Sequence, residues 1–143
     1  AETRKTVTVL FIDATSSTAL GERLDPESLR AVMTRYFDVM REVMTEWQRE
    51  WPIVGDVRGL GPMMLVEFVK DRRTKAPLAP EDTLQIVKHA VANGVVLMRA
   101  GLFSNGVRLL PPLTMPEDML REGLDGLGTA VRVVSERLTA APA

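Results

Sequence analysis

Asp13 closes an apolar run, TVTVLFI over 6–12, and is followed almost at once by Thr15, Ser16, Ser17 and Thr18. A carboxylate at a strand end beside a hydroxyl-rich turn suits a divalent cation and a phosphate, because the acid supplies charge and the turn supplies backbone N–H and hydroxyl groups. Two-metal phosphoryl chemistry needs a second acid able to share ions about 3.5–4 Å apart. Asp56, after Gly55, lies at a tempting sequence distance. Few other groups could do chemistry. His89 is the only histidine and falls on a helix pattern with no acidic or hydroxyl partner in view, so no triad is expected. Cysteine is absent, which removes thiol nucleophiles, disulfides and cysteine metal sites together. Lys5, Lys70, Lys75 and Lys88 fall at the N-terminus, a strand end, a loop and a helix, and Arg58 precedes a turn, where a solvated role suffices.

The elements that must position these residues are legible from periodicity. Thr6–Ile12 is β-branched and aromatic enough for an interior strand. Leu29, Val32, Met33, Tyr36, Phe37, Met40, Val43, Met44 and Trp47 recur every three or four residues, predicting one long helix over 26–48. Asp25-Pro26 starts it as N-cap and first-turn proline, and Pro52 ends it. Two β-rich runs, 53–58 and 63–69, flank Gly59–Pro62 and predict a hairpin, which puts Asp56 inside a strand and Pro62, without a ligand atom, at the turn. RRTKAPLAP reads as a polar loop, and Pro80–Ala92 as a helix with Leu84, Val87 and Val91 inward and Asn93-Gly94 as its stop. Short strands follow at VVLMRA and VRLLPPL. Thr114 and Glu117 form a capping box for a last helix, whose Leu120, Leu124, Leu127, Val131, Val134 and Leu138 alternate by four and three. That helix, 116–138, either covers the sheet or pairs with a copy of itself.

The fold class expected is α+β: a ferredoxin-like β-α-β-β-α-β sandwich with an antiparallel sheet, plus a short strand and the C-terminal helix. The 143 residues suit a single domain over 1–143, and 45% apolar with 26% charged residues is an ordinary globular balance. A net charge of −1 gives no electrostatic reason for a nucleic acid or anionic membrane partner. No apolar run is long enough to span a bilayer and no signal-peptide pattern opens the chain, so a cytoplasmic setting is expected.

Two resemblances stand on longer stretches. TVTVLFIDATSSTALGERLDPESLRAVMTRYFDVMREV, with its F-x-D-x-T-x-S-T run, resembles the start of a class III nucleotidyl cyclase catalytic domain over residues 4–48. The resemblance implies that Asp13 binds one of two Mg or Mn ions and that the turn at Thr15, Ser16, Ser17 and Thr18 cradles the triphosphate. The family's second acid sits in a Gly-Asp hairpin turn; Asp56 does not match that place, and the later base-reading and transition-state residues are not found. From 51 to 136, GDVRGLGPMMLVEFVKDRRTKAP and NGVVLMRAGLFSNGVRLLPPLTMPEDMLREGLDGL resemble the C-terminal small domain of class III pyridoxal-phosphate-dependent aminotransferases of the 4-aminobutyrate and ornithine type. That resemblance implies that Arg108 holds the substrate carboxylate through a bidentate pair of hydrogen bonds. None of the four lysines matches the family's cofactor lysine, so no cofactor is expected for this chain alone.

Together these readings give a recombined or engineered domain, a cyclase-like segment 1–50 joined to an aminotransferase-like segment 51–143, with neither active site complete and no catalysis expected. One alternative is an aminotransferase fragment that contributes Arg108 to a substrate site. Another is weak nucleotide and metal binding at Asp13.

Overall fold

The computed structural model describes residues 25–61, 63–112 and 115–140. Helix α1 (Pro26–Glu50) starts where the sequence says. The Asp25 carboxylate accepts hydrogen bonds from the backbone N–H of Glu27 and of Ser28, both 3.0 Å, and from the Ser28 hydroxyl at 2.6 Å. These satisfy donors that the first helical turn leaves without partners. At the other end Arg72 reaches back to the chain leaving the helix. It donates to the carbonyls of Gln48, Trp51 (2.6 Å) and Val54 (3.1 Å), placing a cation where the helix dipole is negative.

Strands β1 (Val54–Leu60) and β2 (Met63–Asp71) form the expected hairpin, with both strands two residues longer at one end than the sequence indicates. Leu60 pairs with Met63, and Gly61, at φ 61°, begins the two-residue connection between them. Gly59 is needed for close approach rather than for its dihedrals: a Cβ there would stand 2.2 Å from the Met63 carbonyl oxygen. The segment read as a polar loop contains a short edge strand, β3 (Ala76–Pro77), paired to β2. Periodicity cannot register two residues, one of them proline, and the pairing depends on a turn in which the Asp71 carboxylate caps the N–H groups of Arg73 and Thr74.

Helix α2 (Pro80–Ala92) has the expected ends, and Gly94, at φ 85°, closes it with Val95 N–H donating to Ala90 O at 2.9 Å. Its inward face is rotated from the expected one. Thr83, Ile86 and Ala90 are buried, Leu84 and Val87 only half so, and Val91 is exposed. Thr83 can occupy the core because its hydroxyl donates to Ala79 O. Strands β4 (Met98–Ala100) and β5 (Gly106–Leu109) follow, both shorter than expected, and α3 (Glu117–Ala140) ends the described chain.

The architecture is α+β. Four strands run in the order β1-β2-β5-β4, every neighbour antiparallel, with β3 added on β2. A ferredoxin-like order would set the first strand between β2 and β4; β5 fills that position here. The stretch 6–12 and the cap residue Thr114 lie outside the described residues. One core joins Met40, Met44 and Trp47 of α1, Val54, Met64, Val66, Phe68, Val107 and Leu109 of the sheet, Ile86 of α2, and Leu120, Leu124, Leu127, Val131 and Val134 of α3. The α3 leucine stripe is thus buried within this chain's own core. Gly128 lets α3 sit against the Trp47 ring, 3.1 Å from where its Cβ would be. Among the described residues no helix is long and apolar enough to cross a membrane.

Candidate functional site

Alternation along the strands gives the sheet two unlike faces. Met64, Val66, Phe68, Val107 and Leu109 point into the core. Their neighbours in sequence point the other way, onto a face against which none of the described helices packs its buried stripe. Register aligns that face in rows: Arg58, Leu65, Arg108 and Met98 lie side by side across β1, β2, β5 and β4, and Asp56, Glu67, Gly106 and Ala100 form the next row. Leu60 and Met63 continue it at the hairpin end, and Leu60 is 87% exposed.

The two arginines of this face differ in their company. Arg58 Nη1 donates to Asp56 Oδ2 at 2.7 Å and to Glu67 Oε2. Glu67 first, then Asp56, hold its guanidinium protonated even more firmly than usual. Asn105, buried just before β5, donates through Nδ2 to Phe68 O at 2.8 Å and to Glu67 Oε1 at 3.4 Å. Arg108 pairs with no carboxylate among the described residues, and its guanidinium donates to one side chain among them, the Met98 sulfur, 4.0 Å away. Apart from that weak sulfur acceptor its donors meet no side-chain partner among the described residues, and a guanidinium so placed suits a carboxylate ligand.

The other residues singled out by sequence fall elsewhere. Asp13, Thr15, Ser16, Ser17, Thr18 and Lys5 lie outside the described residues. Asp56 is a strand residue engaged by Arg58, not an acid at a turn, and no group of three or more His, Asp or Glu able to hold a metal occurs among the described residues. His89 is exposed on α2, Lys70 sits at the end of β2, Lys75 in the turn beyond it at φ 61°, and Lys88 on α2. None of these lysines lies on the open face. Glu67 and Asn105 went unnoticed in the sequence; alternation from Met64 and Val66 puts Glu67 on the opposite sheet face, but only register sets it beside Arg58, and nothing local marks Asn105 as buried.

The family described as "Aminotransferase class-III" matches residues 17–131. The chain belongs to the class-III aminotransferase family. Among curated relatives, the probable 4-aminobutyrate aminotransferase of Bacillus subtilis is 32% identical over 114 residues, 80% of this chain and 26% of that protein. The 4-aminobutyrate aminotransferase of Mycobacterium leprae is 46% identical over 72 residues, 50% of this chain and 16% of that protein. The solved Bacillus anthracis aminotransferase shares 27% identity at a TM-score of 0.68, over 75% of this chain and 25% of that one. The chain therefore spans about a quarter or less of the relatives it matches.

The family match extends across the expected join. It runs without a break through Trp51, where the sequence analysis changed family, and the comparisons give no support to a cyclase segment or a chimera. A side-chain cap and an apolar stripe are features of amphipathic helices in general, so those of α1 do not mark one enzyme family.

Proposed function

We propose that this chain is the small-domain portion of a class-III aminotransferase and that Arg108 receives the carboxylate of an amino-acid substrate. The observation that carries the reading is the contrast on the open sheet face: Arg58 is neutralised by two acids, and Arg108 has none among the described residues. The relatives named as 4-aminobutyrate aminotransferases point to a substrate with an amine at one end and a carboxylate at the other. The face around Arg108 carries exposed Leu60, Met63, Met98 and Leu110, apolar surface that the remainder of an aminotransferase would cover. The described residues do not fit pyridoxal phosphate by themselves, since no lysine reaches this face, and the cofactor site belongs to the rest of the enzyme.

The test combines the full chain with a class-III aminotransferase lacking its own C-terminal segment. Pyridoxal phosphate absorbance is expected to stay flat with the chain alone, and 4-aminobutyrate turnover to return in the mixture. Arg108→Ala should then lower kcat/KM for 4-aminobutyrate about ten- to a hundredfold, the worth of a charge-assisted bidentate pair, and leave an amine without a carboxylate unaffected. Equal losses on both substrates would refute the role of Arg108, and no turnover in the mixture would refute the small-domain reading.

A further inference from the structure

Glu67 lies on the central strand β2 with an arginine on either side. Arg58 on β1 and Arg108 on β5 both stand opposite Leu65, two residues from Glu67, so both are its diagonal neighbours. Such diagonals are roughly 7–8 Å apart, within reach of a glutamate and an arginine. Gly106, opposite Glu67 on β5, has no side chain to stand between Glu67 and Arg108. The carboxylate nevertheless pairs with Arg58, through Oε2, while Asn105 donates to Oε1 at 3.4 Å. Asp56 is likewise drawn to Arg58, at 2.7 Å.

We infer that Arg58 is a positioning residue: by drawing Glu67 toward β1 it keeps that carboxylate off Arg108 and leaves the Arg108 guanidinium open to an anion. The sharing is electrostatic rather than steric. One arginine balanced by two carboxylates is already over-supplied with negative charge, and the second arginine, across open space, is the next best partner for Glu67. Removing the Arg58 charge therefore frees Glu67 to swing toward β5 and quench Arg108. The consequence for substrate rests on the proposed carboxylate role of Arg108; the partition of charges between the two arginines does not.

The partition can be read on the full chain with phenylglyoxal, which labels guanidinium groups not held in ion pairs, using mass spectrometry to follow each arginine. Arg58→Gln should slow labelling of Arg108 about threefold, the effect expected of an exposed ion pair of ordinary strength. Arg58→Lys, which keeps the charge, should leave the rate as it is, and Arg58→Gln combined with Glu67→Gln should restore it. An unchanged rate in Arg58→Gln, or an equal slowing in the double variant, overturns the inference. Glu67→Gln alone gives an independent reading: Arg58 should label faster and Arg108 no differently, and faster labelling of Arg108 would show that Glu67 already rests on it. No cofactor, substrate or large domain enters the measurement, so its failure is distinct from failure of the carboxylate-binding role.

Discussion

Asp71 ends β2 and turns the chain with one carboxylate, accepting from Thr74 N–H at 2.8 Å and Arg73 N–H at 2.7 Å. Those bonds, that from Thr74 foremost, hold its acid below the usual carboxylate range, and the Ser28 hydroxyl followed by the Ser28 amide does the same for Asp25. A carboxyl whose folded-state pKa is depressed adds stability that is complete above its unfolded value and is lost as pH falls through the folded one. The melting temperature should therefore drop on acidification below about pH 4, where unfolded aspartate begins to bind protons. Asp25→Ala or Asp71→Ala should lower the neutral-pH melting temperature and flatten that acid limb; an unaltered limb in both variants would remove these two acids from the account. The helix cap at Asp25 was legible because cap, proline and apolar stripe are contiguous. The turn at Asp71 was not, since its partner strand β3 is only two residues long.

At the scale of elements, the β1–β2 hairpin depends on Gly59 and the α1–β1 corner on Arg72. Gly59→Ala would drive a Cβ to 2.2 Å from a backbone oxygen and 2.8 Å from Met64 Cα, so the strands must part. A loss of about 1–3 kcal/mol is expected in denaturant titration. Gly123, in the middle of α3, has nothing within 4 Å of its missing Cβ. Gly123→Ala should therefore stabilise by roughly 0.5–1 kcal/mol in the same measurement. Arg72→Met would strip three carbonyls of a charged donor while keeping the side-chain stem, and about 1–2 kcal/mol should go with it. Helix lengths were readable from the text because the apolar period repeats over several turns. The rotation of α2 was not, because Thr83 enters the core only by donating to the Ala79 carbonyl, a bond the sequence does not advertise.

The described residues share one continuous core to which each described helix and the main strands contribute. Trp47 and Trp51 stack at 5.9 Å where α1 meets the hairpin, and Trp47 also receives α3 at Gly128. Thermal unfolding followed by near-ultraviolet circular dichroism, which sees these rings, and by far-ultraviolet signal should coincide in a single transition. Separate midpoints would divide the core into independent parts. The open face has the opposite character, with Met98 and Leu110 more than half exposed beside two arginines. Among the described residues the sheet thus has a core on one side and exposed apolar side chains on the other, in a chain that spans about a quarter or less of its relatives.

By itself the sequence determined the three described helices, the β1–β2 hairpin and the family resemblance from residue 51 onward, because these are written in contiguous residues: caps, periods of two and three to four, and the NGVRLLPPL run that holds Arg108. Only the tertiary structure decided which of the two arginines lacks a carboxylate partner among the described residues. Arg58 and Arg108 are fifty residues apart in the text and each looks solvated; strand register sets both beside Glu67, and the ion pairs then settle on one of them. Asp56 meets Arg58 by simple alternation along β1, whereas Glu67 joins them only through pairing across strands, which, unlike spacing along one strand, depends on how the sheet is ordered.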